Sequence, residues 1–158
     1  MLLLKNDLYK IAKARLKNDD DVYDVIQETM ITSFKSIKKL KDSSCFKPWI
    51  IKILINHSNQ IYHNENKGNI IPLDDVASNK AMGYSDIEHI EVTLDFNFIC
   101  KNLKYEDRII MVLYYIEKFT DKEIGEILNL KENTIKTKRT RAKQEIKKII
   151  KRGEKIYG

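Results

Sequence analysis

The stretch FTDKEIGEILNLKENTIKTKRTRAK, residues 119–143, admits few folds. Thr120 and Glu123 have the spacing of a capping box. In that arrangement the hydroxyl accepts a hydrogen bond from one orphan N–H at a helix start, and the carboxylate accepts from another. DKEIGEIL then reads as a short helix, NLKEN as a turn, and a basic helix begins at about Asn133. Ile124, Leu128, Leu130 and Ile135 fall where two crossed helices must bury apolar groups. Gly125 falls where the second helix approaches the first, so a small side chain is needed. Asn129 sits at the turn, where a left-handed backbone is required and Asn is the best tenant after Gly. The pattern predicts a helix-turn-helix. A plain αα-hairpin shares the apolar spacing, but nothing in it calls for a basic second helix.

Charge is distributed unevenly along the chain. Residues 131–158 hold 11 Lys/Arg against 3 Asp/Glu, whereas residues 65–95 hold 2 against 7. The last segment thus carries more than the whole formal charge of +6. Such asymmetry fits a nucleic-acid contact at one end, although charge alone does not separate it from a solvated terminal helix. The helix period makes the separation. Ile135, Ala142, Ile146 and Ile149 fall on the inward side, and Asn133, Lys136, Thr137, Thr140, Arg141 and Gln144 on the outward side. Lys and Arg neutralise phosphates and release counterions. Asn, Arg and Lys also pair with base edges in the major groove, where a Thr methyl can touch thymine.

The first 64 residues predict a second, separate bundle. DLYKIAKARL places Leu8, Ile11, Ala12 and Leu16 on one helix face. Residues 22–40 have Val22, Val25, Ile26, Met30, Phe34, Ile37 and Leu40 at helical spacing, which predicts one buried stripe. Asp19, Asp20 and Asp21 precede it, where carboxylates favour a helix start. FKPWIIKILINHSNQIYH predicts a third helix, with Pro48 in its first turn. Trp49, Ile50, Ile53 and Leu54 form its core side. Ile51 and Ile55 make it apolar nearly all round, so neighbours must clasp it. Residues 65–93 are acidic, contain Gly68, Pro72 and Gly83, and keep no period; they predict a flexible linker. LDFNFICKNL and YEDRIIMVLYYIE read as helices beyond it. The expected fold is all-α, with two small helical domains at 1–64 and 94–158.

No apolar run approaches the ~20 residues that span a bilayer. The short, early-charged start is no signal peptide, so a cytoplasmic protein is expected. Cys45 and Cys100 are expected to be reduced, buried thiols, since neither shares zinc-type spacing with a histidine. No cofactor, metal site or catalytic residue is expected.

Two stretches together resemble a known family. DVYDVIQETMITSFKSI…FKPWIIKILINH resembles region 2 of the extracytoplasmic-function sigma factors of bacterial RNA polymerase. FTDKEIGEILNLKENTIKTKRTRAK resembles their region 4. The order, the separation and the intervening linker agree, and the resemblance covers nearly the whole chain.

The resemblance implies a protein without catalytic chemistry. It would bind core polymerase, recognise the −35 and −10 promoter elements and help melt DNA. Asp24, Gln27 and Glu28 occupy the positions that dock on the clamp helices of the polymerase's largest subunit. Asn56 matches the Asn beside the pocket for an unstacked −10 base, and such a pocket opens DNA by capturing the base. Thr134, Lys136, Thr137, Lys138 and Arg141, with Asn133 before them, fall on the helix that reads the −35 element. Arg108 matches a phosphate contact or a helix-packing ion pair. An anti-sigma partner, commonly membrane-anchored, is implied as well. The linker would let such a partner clasp the two domains together and release them.

Three departures stand out. Arg139 replaces a leucine of the recognition helix, so its stem must run along the core or the helix must pack differently. HNENKG replaces the arginine run that ends region 2, which weakens the grip on melted DNA. The first helix is short, which leaves part of the region 2 core uncovered. Two other readings compete with the family. A stand-alone helix-turn-helix regulator leaves the first half unexplained. A metal-dependent nuclease built on Asp24, Glu28 and a histidine lacks a third ligand.

Overall fold

The computed structural model describes residues 2–65, 99 and 101–157. The expected linker falls outside these residues, save Glu65, as does Cys100. Among the described residues there is no strand, and the fold is all-α as the periodicity predicts.

The first half is three helices: α1 (Leu2–Arg15), α2 (Asp19–Ser36) and α3 (Phe46–Glu65). Asn18 caps α2, its side chain accepting the Asp20 N–H at 2.9 Å. Asp19, Asp20 and Asp21 fill the first turn, where their charge opposes the partial positive charge of the helix start. Asp42 caps a short 3-10 turn in the same way, accepting from the Ser44 N–H at 2.9 Å, and α3 starts directly after it. Pro48 lies in the first turn of α3, where its missing N–H costs nothing.

The second half opens with helical residues at Ile99 and 101–102. Helix α4 (Tyr105–Met111) follows and runs on as a π-helical turn, Val112–Ile116. The wider turn is closed by the Glu117 N–H donating to Val112 O and the Phe119 N–H to Leu113 O, both at 3.0 Å. Lys118 reverses the chain there with φ 62°, a left-handed conformation unusual for a residue with a side chain. Then come α5 (Asp121–Leu128) and α6 (Glu132–Tyr157).

Leu8, Ile11, Ala12 and Leu16 are all buried, so the expected inner face of α1 stands. On α3 the buried residues are Ile50, Ile51, Leu54 and Ile55, while Trp49 and Ile53 are only half-buried. Trp49 leans on Phe46 at the rim, with ring centroids 5.8 Å apart, rather than filling the centre. The clasp around α3 comes from α1 and α2, and from α5 of the second half; α1 also meets α4. Apolar side chains of both halves therefore form one continuous core.

Two expectations fail. Of the stripe expected to be buried on α2, Val22 and Val25 are inside, but Met30, Phe34 and Ile37 are exposed, Phe34 to 85%. Thr29 and Ser33 face the core instead. Their hydroxyls donate to Val25 O at 2.7 Å and Met30 O at 2.8 Å, so neither is left unsatisfied. Small bonded side chains let α2 lie close to α3, and the bulky ones turn outward. Thr32 and His57 join the two helices by a 3.0 Å hydrogen bond. Cys45, expected to be buried, is exposed, because the 3-10 turn before α3 stands clear of the core.

The α2 geometry makes a prediction opposite to that of periodicity. Thr29→Leu overpacks the α2–α3 contact and lowers stability by about 1–3 kcal/mol. Phe34→Ser changes stability by less than about 0.5 kcal/mol. Urea unfolding of the two variants checks the pair.

Candidate functional site

The helix-turn-helix is built as its sequence dictates. The Thr120 hydroxyl accepts from the Glu123 N–H at 3.2 Å, and Glu123 Oε2 accepts from the Thr120 N–H at 2.8 Å. Asn129 ends α5 at φ 56°, ψ 46°, the expected left-handed turn. The Leu130 N–H then donates to Gly125 O at 2.9 Å. A Cβ on Gly125 would lie 2.6 Å from Leu130 O, closer than such atoms can approach. Ile124 and Ile135 are fully buried between the helices, with Leu128 and Leu130 half-buried beside them.

Arg139, the expected apolar position, is explained by Asp121. Its Nε donates to Asp121 Oδ1 at 2.9 Å and its Nη2 to Oδ2 at 2.8 Å. The guanidinium carbon lies over Tyr114, 4.1 Å from the ring centroid. A two-pronged bond to a carboxylate suits Arg and no other cation. The hydrogen bonds it donates to Asp121 outweigh the effect of burial and push the guanidinium's pKa still higher than usual. Arg139 thereby ties the middle of α6 to the first turn of α5. One turn on, buried Lys143 holds its ammonium 5.3 Å from the Tyr115 ring.

The outward face of α6 presents Asn133, Lys136, Thr137, Thr140 and Gln144 to solvent. Thr137 and Thr140 donate their hydroxyls to Asn133 O at 2.9 Å and Lys136 O at 2.8 Å. With the protons so committed, each threonine offers a methyl and an acceptor lone pair outward. Lys136 pairs with Glu132 at 3.1 Å, an exposed pair that a stronger anion can displace. Thr134 and Arg141 are half-buried. Lys138 turns toward α4, with its ammonium 4.0 Å from Glu106 and its side chain only 19% exposed. Burial raises the pKa of neighbouring Asp107, and Lys138 and Arg141 pull it back down. Arg108 donates its Nε to Leu103 O at 2.7 Å and so caps the preceding helical turn.

A second surface lies on α2. Asp24, Gln27 and Glu28 are exposed there, as expected. Beside them stand Tyr23, Met30, Ile31, Phe34 and Ile37, all of them exposed large apolar side chains. Periodicity could not have found this patch, because an apolar row reads the same whether it faces a core or a partner.

Asn56 is exposed on α3, beside a cavity of about 70 Å³ between α3 and the turn of the helix-turn-helix. Lys52 and Asn59 line one wall, and Leu128, Asn129 and Leu130 the other. Arg15 closes its floor, with Nη2 donating to Asn59 Oδ1 and the guanidinium 4.7 Å from the Tyr105 ring centroid. Burial lowers the Arg15 pKa and pushes the Tyr105 hydroxyl up to about 12.

Among the described residues, no three His, Cys, Asp or Glu side chains are grouped to hold a metal ion. None of their helices is long and apolar enough to cross a membrane.

Residues 2–62 match the family described as Sigma-70 region 2, and residues 101–146 the one described as Sigma-70, region 4. Together they take in well over half of the chain. The chain is 28% identical over 138 residues to RNA polymerase sigma factor SigV of Bacillus subtilis (strain 168), covering 87% of this chain and 81% of that protein. It is 25% identical over 150 residues to ECF RNA polymerase sigma factor SigM of the same organism, covering 94% and 91%. In fold it is similar to the sigma factor RpoE from Bartonella quintana, solved in complex with the anti-sigma factor NepR. The TM-score is 0.70 at 20% identity, over 95% of this chain and 93% of that one. CnrH, solved in complex with the cytosolic domain of CnrY, superposes at a TM-score of 0.62 and 16% identity, over 93% and 82%.

Proposed function

We infer the division of labour in this chain from one premise: it belongs to the sigma-70 family, as an extracytoplasmic-function sigma factor. It is an alternative sigma factor for transcription initiation, binding core RNA polymerase and promoter DNA. The two domains, 1–64 and 94–158, carry separate tasks. The observation that supports this most is the pairing, on one chain, of an outward basic and polar helix with an unpartnered apolar and acidic face.

Helix α6 enters the major groove at the −35 element. Asn133, Lys136 and Thr137 reach base edges, while Thr134 and Arg141 hold the flanking backbone. Lys138 must leave Glu106 to join them, and at 4.0 Å that pair is easily given up. Asn56 lies beside the captured −10 base, and Lys52 on the same cavity wall suits the adjoining phosphate. The clamp helices of the polymerase's largest subunit dock on α2. Phe34 and Met30 supply the apolar centre of that contact, and Asp24, Gln27 and Glu28 its polar rim, the usual anatomy of an interface. An anti-sigma protein, soluble or held at a membrane by its own anchor, competes for these surfaces. The chain works in the cytoplasm, as strand capture on the chromosome requires, and performs no covalent step.

Substitutions on the two faces separate the tasks. Phe34→Ser and Glu28→Ala weaken binding to core polymerase, Phe34→Ser by tenfold or more, about 1.4 kcal/mol. Both leave the affinity for promoter DNA unchanged. Lys136→Ala and Arg141→Ala retain core binding but weaken promoter binding by about 1–3 kcal/mol if a base edge is read. A phosphate contact lowers the salt slope by about one instead. Titrations of labelled core and of promoter duplex at two salt concentrations check both. Substitutions on either face that struck the same step would show that the tasks are not divided.

A further inference from the structure

Two buried carboxylates of this chain have their cations. Asp121 holds Arg139, and Glu117, its side chain 2% exposed, accepts from Lys47 of α3 at 3.0 Å. One buried cation lacks its carboxylate. Arg15, the last residue of α1, is 5% exposed. Among the described residues no carboxylate pairs with it, and its Nε makes no hydrogen bond. Its Nη2 donates to Asn59 Oδ1, and its guanidinium carbon lies 4.7 Å from the Tyr105 ring centroid. The partial negative charge at the end of α1 offsets the guanidinium only in part. A buried ion left in this state is costly, and an unsatisfied buried group calls for a water, an ion or a role.

The counter-ion has a place. Arg15 forms the floor of the 70 Å³ cavity beside Asn56. Lys52, Asn56 and Asn59 stand a helical turn apart on one face of α3 and line its wall. Lys52 is exposed and, among the described residues, makes no ion pair. Because Asn59 Oδ1 is taken by Arg15, its NH2 group is left to donate. Guanidinium, ammonium and amide thus converge as donors, and two cations face one carboxylate, Glu106. Buried Ile55, Ile109, Ile110 and Ile127 keep the surroundings dry, which strengthens each charged contact. A cavity of about 70 Å³ takes several water-sized bodies, room for one tetrahedral oxyanion. Glu106 selects among oxyanions. A carboxylate repels fully ionised sulfate but accepts a hydrogen bond from phosphate, which keeps a proton near neutral pH.

We propose that this cavity binds a phosphate group, held by Arg15 and Asn59 at the floor and by Lys52 and Asn56 at the mouth. The group is free phosphate or a monoester whose arm leaves past Lys52 and Asn56. The site itself does not depend on the sigma-factor reading. Its consequence does: a ligand against Asn56 competes with capture of the −10 base.

The test is calorimetric titration of the full chain, in a buffer without phosphate, with inorganic phosphate, AMP, adenosine and sulfate. Phosphate should bind at one site and raise Tm, sulfate should bind several-fold more weakly at equal ionic strength, and adenosine should give no heat. AMP tighter than phosphate supports the site with a monoester as its ligand; phosphate alone supports it with the free ion. Arg15→Gln and Lys52→Ala should each weaken binding, Arg15→Gln on the order of 10–100-fold, as for a lost hydrogen bond to a charged group. Glu106→Gln should let sulfate bind as well as phosphate. Asn59→Asp guards against a folding defect in Arg15→Gln, because its carboxylate supplies the missing partner from within the chain. Its Tm should rise while phosphate binding disappears. Phosphate that binds Asn59→Asp as it binds wild type, or that raises the wild-type Tm no more than chloride at the same ionic strength, overturns the site. Failure of the chain to direct transcription with core strikes the sigma-factor reading instead and leaves the binding result standing.

Discussion

Gly125→Val should loosen the helix-turn-helix and lower the stability of the whole chain. Even one added carbon meets Leu130 O at 2.6 Å, and that oxygen is backbone, fixed by the left-handed turn at Asn129. Relief requires α6 to move away from α5. That breaks the Leu130 N–H bond to Gly125 O and exposes Ile124 and Ile135. Overpacking alone costs about 1–3 kcal/mol, and the lost bond adds about 1. A total of about 3 kcal/mol lowers Tm by roughly 6–12 °C, and promoter binding goes with it. Gly153→Ala is the control. Nothing lies within 4 Å of its Cβ, and a glycine inside a helix is worth about 0.5–1 kcal/mol less than alanine there. That variant should be slightly more stable. Thermal unfolding of both distinguishes a packing demand from a general intolerance of change in this domain.

Asp121→Ala has the second largest expected effect. It strands a guanidinium whose side chain is 16% exposed and removes both of its hydrogen bonds. Because Arg139 keeps the face of Tyr114 and some solvent, the cost is about 2–3 kcal/mol, below that of a fully buried pair. The double variant Asp121→Ala, Arg139→Leu should recover most of it, since an apolar pair of similar volume often does as well as a buried ion pair. A double-mutant cycle in urea reads the difference directly. Additive losses would mean that the two side chains are not coupled, and the account of why Arg stands at this position would fail.

The helix-turn-helix was legible because its signals are local. Capping box, small residue and left-handed turn each act within a few residues, so the chemistry of Thr120, Gly125 and Asn129 shows in order along the chain. The outward row Asn133, Lys136, Thr137 follows from one helical period and one known inner face. What escaped was non-local. Asp121 and Arg139 are 18 residues apart, and nothing in either neighbourhood announces a pair. Arg15 and Tyr105, or Lys47 and Glu117, are separated further still, across the two halves. The period of α2 was read correctly and its inner face wrongly. The side with Thr29 and Ser33 packs closely because it is small, whereas a hydrophobicity pattern assumes that the larger apolar side is inside. A helix with one face for a core and another for a partner defeats that assumption, and Phe34 is where it fails most plainly.

Run-off transcription with purified core polymerase reads initiation itself. Core alone and chain alone should give no discrete product from a promoter-bearing template. The two together should give transcripts from defined start sites, reduced by Phe34→Ser through weaker core binding and by Lys136→Ala through weaker promoter binding. A chain that binds its DNA sites tightly but directs no initiation by core, and fails to associate with it, would contradict the account.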